Sequence, residues 1–304
     1  MDDVLVFTGE RLIPNLNRGT AFFYEHLLRY IFACNFVKGK TVLDAGCGSG
    51  YGSLLLAKEG NAANVISVDI SADAIAYSIK YYSAHNISYT VDNVESLYLI
   101  QDKSIDIVVS FEVVEHLQNQ ISYLKSIKRV LKPSGLAMIS TPNTLTYPSG
   151  NPFHINEFTP DQFKRFLKAE FKNVKILTQS FEFIQTIKDN NGPLIKSLNG
   201  MYSYNSRTYS SKTTLNDCQY MIALVSDEKL PDLPLSSLSL SRVDHYDMTQ
   251  GFNSLAANIS SESKSDSNAM RLEIIELFFL ITQIRSTLFY KLWRLFIEIK
   301  KVIP

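Results

Sequence analysis

Apolar positions along this chain fall in short runs separated by longer stretches of helical period. Thr41–Leu43, Val65–Asp69, Ile87–Val91, Ser104–Phe111, Leu136–Thr141, Val174–Thr178 and Cys218–Val225 are β-branched or continuously apolar runs, which reads as seven strands. Between them, Phe22, Phe23, Leu27, Tyr30 and Ile31 recur at helical spacing within Thr20–Phe36, and a helix through Leu54–Ala57 stops at Gly60. Ser71 caps a helix over Ala72–His85, Gln120–Leu131 is amphipathic and ends on Lys132-Pro133-Ser134-Gly135, and Thr159–Phe171 carries Pro160 in its first turn. Strands and helices in this alternation predict an α/β fold, a doubly wound, seven-stranded, mostly parallel sheet. The run SIDIVVSF at 104–111 is apolar almost throughout, as a central parallel strand is.

The pattern changes toward the carboxyl end. Residues 181–217 are too long for a hairpin connection and rich in Ser, Tyr and Asn, with Tyr202, Tyr204 and Tyr209 suited equally to stacking on a sugar and to packing among themselves. Residues 227–269 shift to Ser, Asn and Asp and read as a linker. Residues 270–304 are helical in pattern and apolar on more than one face, with Phe289, Trp293 and Phe296 beside Lys291, Arg294, Lys300 and Lys301. Glu276 and Arg285 interrupt that tail before a spanning length is reached, so it predicts an amphipathic helix lying on an anionic membrane surface, or pairing with another helix. The expected organisation is a cap segment 1–36, a domain 37–226 with an insertion at 181–217, the linker 227–269 and the helix 270–304.

With 304 residues the chain can build a sizeable core and an appendage. A formal net charge of zero provides no basic footprint, so nucleic acid is not the expected partner. Cys34, Cys47 and Cys218 are scattered, without paired spacing or histidine neighbours; no disulfide and no metal site is expected. The start MDDVLVF is acidic and lacks the basic, then apolar, pattern of a signal peptide, so a cytoplasmic protein is expected.

The chemistry concentrates in TVLDAGCGSGYGS at 41–53. Gly46, Gly48 and Gly50 remove Cβ atoms from a strand-to-helix turn and let a ligand lie on the backbone. Tyr51 stands where the dinucleotide fingerprint needs its third glycine, and Asp44 would repel a pyrophosphate while suiting an ammonium group. Asp69, at the end of the next strand, can accept hydrogen bonds from both hydroxyls of a ribose. A nucleoside with a cationic amino-acid tail meets both acids.

These residues resemble the class I S-adenosylmethionine-dependent methyltransferases: DAGCGSG at 44–50 is similar to their first motif and Asp69 to their ribose-binding acid. The resemblance implies a Rossmann-like fold and S-adenosyl-L-methionine as cofactor, held by Asp44, Gly46, Cys47, Gly48, Gly50, Tyr51, Asp69 and Ile70. It implies that Asp92 or Asn93 meets the adenine, and that Phe111 and Glu112 open a fourth motif running through Val113, Val114, Glu115 and His116 beside the donor sulfur. Pro142-Asn143 and 151–158 lie where such enzymes place acceptor loops.

TGERLIP at 8–14, YEHLLRYIFA at 24–33 and NPFHINEFTPDQF at 151–163 further resemble methyltransferases associated with bacterial surface-polysaccharide synthesis, through Arg11, Glu25, His26 and Tyr30 among others. That likeness implies a sugar or lipid-linked glycan as acceptor and, with the tail, a position on the inner face of the cytoplasmic membrane. The alternatives are a small-molecule methyltransferase acting on a quinone precursor or similar metabolite, and a non-catalytic nucleoside-binding scaffold. A hydroxyl acceptor needs a base, for which His116 and His154 are the available residues; an amine or carboxylate acceptor needs none. Tyr51 or Tyr24 is suited to a cation–π contact with the sulfonium.

Overall fold

The structure, a computed structural model, describes residues 11–17, 21–147, 151–180, 188–189, 192–193 and 214–233. The chain divides into two compact units, 1–240 and 241–304. The tail helix, Tyr202, Tyr204 and Tyr209, and the linker beyond residue 233 lie outside the described residues.

Seven strands form one sheet: β1 (Thr41–Ala45), β2 (Asn64–Asp69), β3 (Ile87–Val91), β4 (Ile105–Phe111), β5 (Leu131–Pro142), β6 (Asn173–Gln179) and β7 (Tyr220–Ser226). Their order is β3-β2-β1-β4-β5-β7-β6. Strands β1 to β5 are parallel, and β7 runs antiparallel to both β5 and β6. The expected doubly wound, mostly parallel sheet is thus observed. Within 181–217, Lys188–Asp189 and Gly192–Pro193 pair with each other.

Strand burial explains the continuous apolar runs. β4 and β7 are buried along nearly their whole lengths, which requires cover on both faces. Helices α1 (Pro14–Asn17), α2 (Ala21–Cys34), α3 (Tyr51–Lys58), α4 (Ala72–Tyr81), α5 (Gln120–Val130) and α6 (Pro160–Lys168) provide it. Tyr123, Leu124 and Ile127 of α5 and Phe163 and Leu167 of α6 form one core with Leu43, Val108, Ala137, Ile139, Met221 and Ala223 of the sheet. Helices α2 and α3 pack on each other and against β4 and β2. Thr159 caps α6 through a reciprocal capping box with Gln162, and Ser71 caps α4 by accepting from the Ala74 amide.

Among the boundaries that differ from the expectation, two have a clear physical reason. Pro133-Ser134-Gly135 does not separate α5 from β5; pairing begins at Leu131 opposite Ile105, and the register then shifts so that Leu136 meets Ile107. The turn residues are carried as a bulge inside the strand, where Ser226 Oγ donates to the Gly135 carbonyl (2.8 Å). Helix α4 ends at Tyr81, short of His85, because Tyr82 leaves helical backbone and turns its ring inward.

Candidate active site

The glycine loop between β1 and α3 is held against β2, since the amides of Gly46 and Cys47 both donate to the Val68 carbonyl (2.8 and 2.9 Å). Gly46 has φ +85°, and a Cβ there would stand 2.5 Å from Val113 Cγ2. Gly50 also has φ +85°, but its bare backbone serves another purpose: a Cβ would stand 2.5 Å from Ser78 Oγ of α4. It makes room for a helix rather than a ligand, a role the spacing alone does not reveal.

Asp69 ends β2 with both carboxylate oxygens oriented. Oδ2 accepts from the Gly48 amide and Oδ1 from the Ser71 amide, each at 2.9 Å. Arg11 approaches Oδ1 at 3.9 Å from the amino-terminal segment, which is fastened over the loop where Ser49 Oγ donates to the Leu12 carbonyl (2.6 Å). Asp44 lies deeper. It is fully buried, accepting from Tyr30 Oη (3.1 Å) and Ser53 Oγ (2.6 Å). Burial pushes its pKa up to about 6, against the opposing effect of those two hydrogen bonds, and Asp69 nearby pushes in the same direction as burial.

Asn93 reaches the cavity, whereas Asp92 turns inward and accepts from the amides of Asn93 (2.8 Å) and Leu99 (3.1 Å). Across from the glycine loop, β4 delivers Phe111 and then Glu112, whose φ of +55° turns the chain into a 3₁₀ turn over Val114–His116. Glu112 is fixed by Ser140, whose Oγ donates to Oε1 (2.6 Å) and accepts from the Glu112 amide (3.0 Å).

Behind Glu112 sits Arg29, which the sequence reading passed over. It is wholly buried; its Nε donates to Gln179 Oε1 (2.7 Å), its guanidinium lies 4.4 Å from the Tyr220 ring centroid, and Nη2 is 3.7 Å from Glu112 Oε1. Tyr220 Oη in turn donates to Glu25 (3.0 Å). This network ties α2 to β6, β7 and Glu112. The available signal was an arginine three residues after His26 and four after Glu25, on a helix face otherwise given to packing.

The 151–158 segment closes the far end. The amides of Ile155 and Asn156 donate to the Glu115 carbonyl (2.8 and 3.2 Å), and Gln120 Nε2 bridges the carbonyls of Val114 and Asn156 (2.8 and 3.0 Å). His154 is thereby brought edge-on to His116, with ring centroids 4.9 Å apart. His116 Nδ1 donates to the Phe153 carbonyl (3.0 Å), and His154 Nδ1 donates to Glu157 Oε1 (2.7 Å). Between them and the core is Glu115, fully buried, with His116 Nε2 4.0 Å from its Oε1 and the Thr141 side chain beside it. Burial and the neighbouring Glu112 hold its pKa well above the usual carboxylate range.

Together these elements enclose a cavity of about 520 Å³ at the carboxyl ends of β1, β2 and β4. Of the residues expected to bind cofactor, Gly46, Cys47, Gly48, Tyr51, Asp69, Ile70, Asn93, Phe111 and Glu112 line it; Asp44, Gly50 and Asp92 do not. His116 lines it and His154 stands behind His116. Arg11, His26 and Tyr30, singled out by the polysaccharide likeness, also face the cavity. Burial and the charge of Arg29 hold the His26 pKa well below its usual value. The loop of bare backbone, the acid at the tip of β2 and a second acid buried behind a tyrosine suit a cationic nucleoside.

A sheet of this order with such a site at its strand tips defines a nucleoside-binding α/β protein of the methyltransferase class. The chain belongs to that family: the model of a methyltransferase domain matches residues 36–197, and its members' methyl donor is S-adenosylmethionine. It is 38% identical over 169 residues to probable S-adenosylmethionine-dependent methyltransferases of Mycobacterium tuberculosis, covering 54% of this chain and 60% of theirs. It is 30% identical over 254 residues to one of Mycolicibacterium smegmatis, covering 82% of this chain and 90% of that one. A ubiquinone biosynthesis O-methyltransferase of Glaesserella parasuis is 38% identical over 115 residues, 36% of this chain and 48% of its own. The chain thus spans 60% of the length of the Mycobacterium tuberculosis relatives.

Proposed function

We propose that this chain methylates a hydroxyl of a sugar or lipid-linked glycan, with S-adenosylmethionine as donor. The observation that carries the reading is the two-ended cavity, a glycine and carboxylate cradle at one end and the Glu115, His116 and His154 cluster beside the other. The donor, when bound, supplies a methyl group on a sulfonium, an electrophile that needs no strong nucleophile. The protein's task is then alignment, which by itself can lower a barrier by several kcal/mol.

Asp69, held by the Gly48 and Ser71 amides, is placed for ribose hydroxyls, and Tyr51 offers an aromatic face in the cavity wall. An acceptor hydroxyl must lose its proton as its oxygen is alkylated, and the histidine–carboxylate cluster is where that proton is handled. Phe153, 48% exposed, presents an apolar ring near the polar Gln118 and Glu95, a combination suited to a sugar. The likeness of 8–14, 24–33 and 151–163 to polysaccharide-associated enzymes supports the same acceptor class, and the amphipathic 270–304 segment supports a reaction at a membrane surface. Among the described residues no helix is long and apolar enough to cross a membrane.

Isotope-labelled donor supplied with membrane extract tests this: label is expected in glycan or glycolipid. A second reading, methylation of a quinone precursor, is favoured by the ubiquinone-biosynthesis relatives. Label confined to a soluble phenolic metabolite would establish it in place of the first.

A further inference from the structure

A cationic donor needs a negative group in the wall it touches, and Asp44 is not that group. It is fully buried behind Tyr30 and Ser53 and does not line the cavity. Of the acids that do, Asp69 spends its two oxygens on the Gly48 and Ser71 amides, and Glu95 Oε1 accepts from the Asn119 amide (2.8 Å). Glu112 is the remaining one. Its φ of +55° lies in the left-handed region, which a non-glycine residue enters at an energetic cost. Ser140 holds Oε1 and the backbone amide, so that among the described residues Oε2 is left without a hydrogen-bond partner.

Behind Glu112 is Arg29, wholly buried, and a guanidinium taken out of water is costly. Little within the fold offsets that cost. Nε donates to Gln179 Oε1 (2.7 Å) and the Tyr220 ring lies 4.4 Å away, but neither Nη has a hydrogen-bond partner among the described residues. Glu25, the other acid in the field of Arg29, is occupied by Tyr220 Oη (3.0 Å). The ion pair that remains is with Glu112 Oε1, 3.7 Å from Nη2. An apolar side chain would serve packing better at this position.

We infer that Arg29 is a positioning residue for methyl transfer, which holds the Glu112 carboxylate charged and in place from behind the wall, with Oε2 left to take a cationic group of S-adenosylmethionine. That group is the donor's ammonium or its sulfonium. The inference rests on this nucleoside being the donor and is independent of the acceptor. Arg29 works through Glu112 and not through its own field, because a positive charge behind the wall would by itself repel a cationic ligand. The two effects differ in sign, so removing the arginine tells them apart.

Calorimetry on the full chain tests this, with S-adenosylmethionine and with S-adenosylhomocysteine, which keeps the ammonium and lacks the sulfonium. Arg29→Met is expected to weaken S-adenosylmethionine binding at least tenfold, and Glu112→Gln by a similar factor. Adding Arg29→Met to Glu112→Gln should cost less than a further threefold, since the two residues act as one unit. Arg29→Lys, which keeps the charge, should recover part of the affinity. Equal losses with both nucleosides assign the ammonium to Glu112; a loss confined to S-adenosylmethionine assigns the sulfonium. Melting of each variant without ligand separates positioning from structure: affinity is expected to stay low in the double variant even where its melting temperature returns to that of wild type. Unchanged or tighter binding in Arg29→Met, a loss equally large in the Glu112→Gln background, or no recovery with lysine overturns the inference. Should Arg29→Met fail to melt cooperatively, Glu112→Gln decides, and undiminished affinity there overturns it. Wild-type protein that gives no heat with either nucleoside removes the donor reading and this inference with it, whereas wild-type binding with unaffected variants removes this inference alone.

Discussion

Asp44 carries a charge whose state the fold controls. With its pKa moved from the ordinary 3.8 to about 6, the buried carboxyl holds its proton at a pH where an exposed one would not. The folded value lies above the unfolded one. The advantage of burying it neutral is therefore complete below about pH 4 and is lost as pH rises through 6, a change of about 3 kcal/mol in folding stability. Asp44→Asn should flatten that slope in urea titrations between pH 4 and 7. A cationic donor pulls the other way, because its charge favours the ionised carboxylate. Donor affinity is expected to fall toward tenfold per pH unit below 6, and calorimetry in buffers of different ionisation enthalpy should show a proton released on binding.

Helices α2 and α3 meet at a point set by one side chain. Gly52 lies inside α3, a costly place for glycine, because a Cβ there would stand 2.1 Å from Tyr30 Cζ. Tyr30 cannot swing away: its ring is flanked edge-on by Tyr51 and Phe111 at centroid distances of 5.4 and 5.3 Å, and its hydroxyl is committed to Asp44. Gly52→Ala is expected to cost about 1–3 kcal/mol by overpacking, measured by chemical denaturation. Since Tyr30 forms part of the cavity wall, the same substitution should weaken donor binding at least tenfold, an effect that mere loss of stability in a still-folded protein does not produce.

The order of the sheet decides where the chain can be cut. β7 is inserted between β5 and β6, so β6 has no partner until residues 220–226 arrive. The turn after β7 is fastened as well, with Asp227 paired to Lys128 and its carbonyl accepting from Asn173 Nδ2 (3.3 Å). A chain ending at 213 is expected not to fold cooperatively. Residues 1–240 form a compact unit and should fold and bind donor with unchanged affinity. The shortened protein should no longer sediment with anionic vesicles that retain the full chain. Retention of the shortened protein by such vesicles would show that 241–304 is not the membrane-binding segment.

The strand runs, the glycine turn and the acid ending β2 were legible from the residues in line, because each rests on spacing within a few positions: the period of a strand, the φ freedom of Gly46, the carboxylate closing VISVD. Boundaries slipped where a local stop signal was overruled by pairing, as when the Pro133–Gly135 turn became a bulge because Leu131 had already found Ile105. Other features needed the folded chain. Asp44 reads as a surface for an ammonium group, yet its depth and its neighbours Tyr30 and Ser53 make it a titrating group behind the wall. Gly50 reads as a ligand contact, yet Ser78 of a later helix requires it. Glu115, His116 and His154 read as separate candidates, and neither their meeting nor the part played by Arg29 is written in local spacing, since the atoms that give them meaning come from β6, β7 and the 151–158 segment. Periodicity and turn chemistry are properties of neighbours along the chain. Burial, charge pairing and ligand geometry depend on which distant segments the sheet order places side by side.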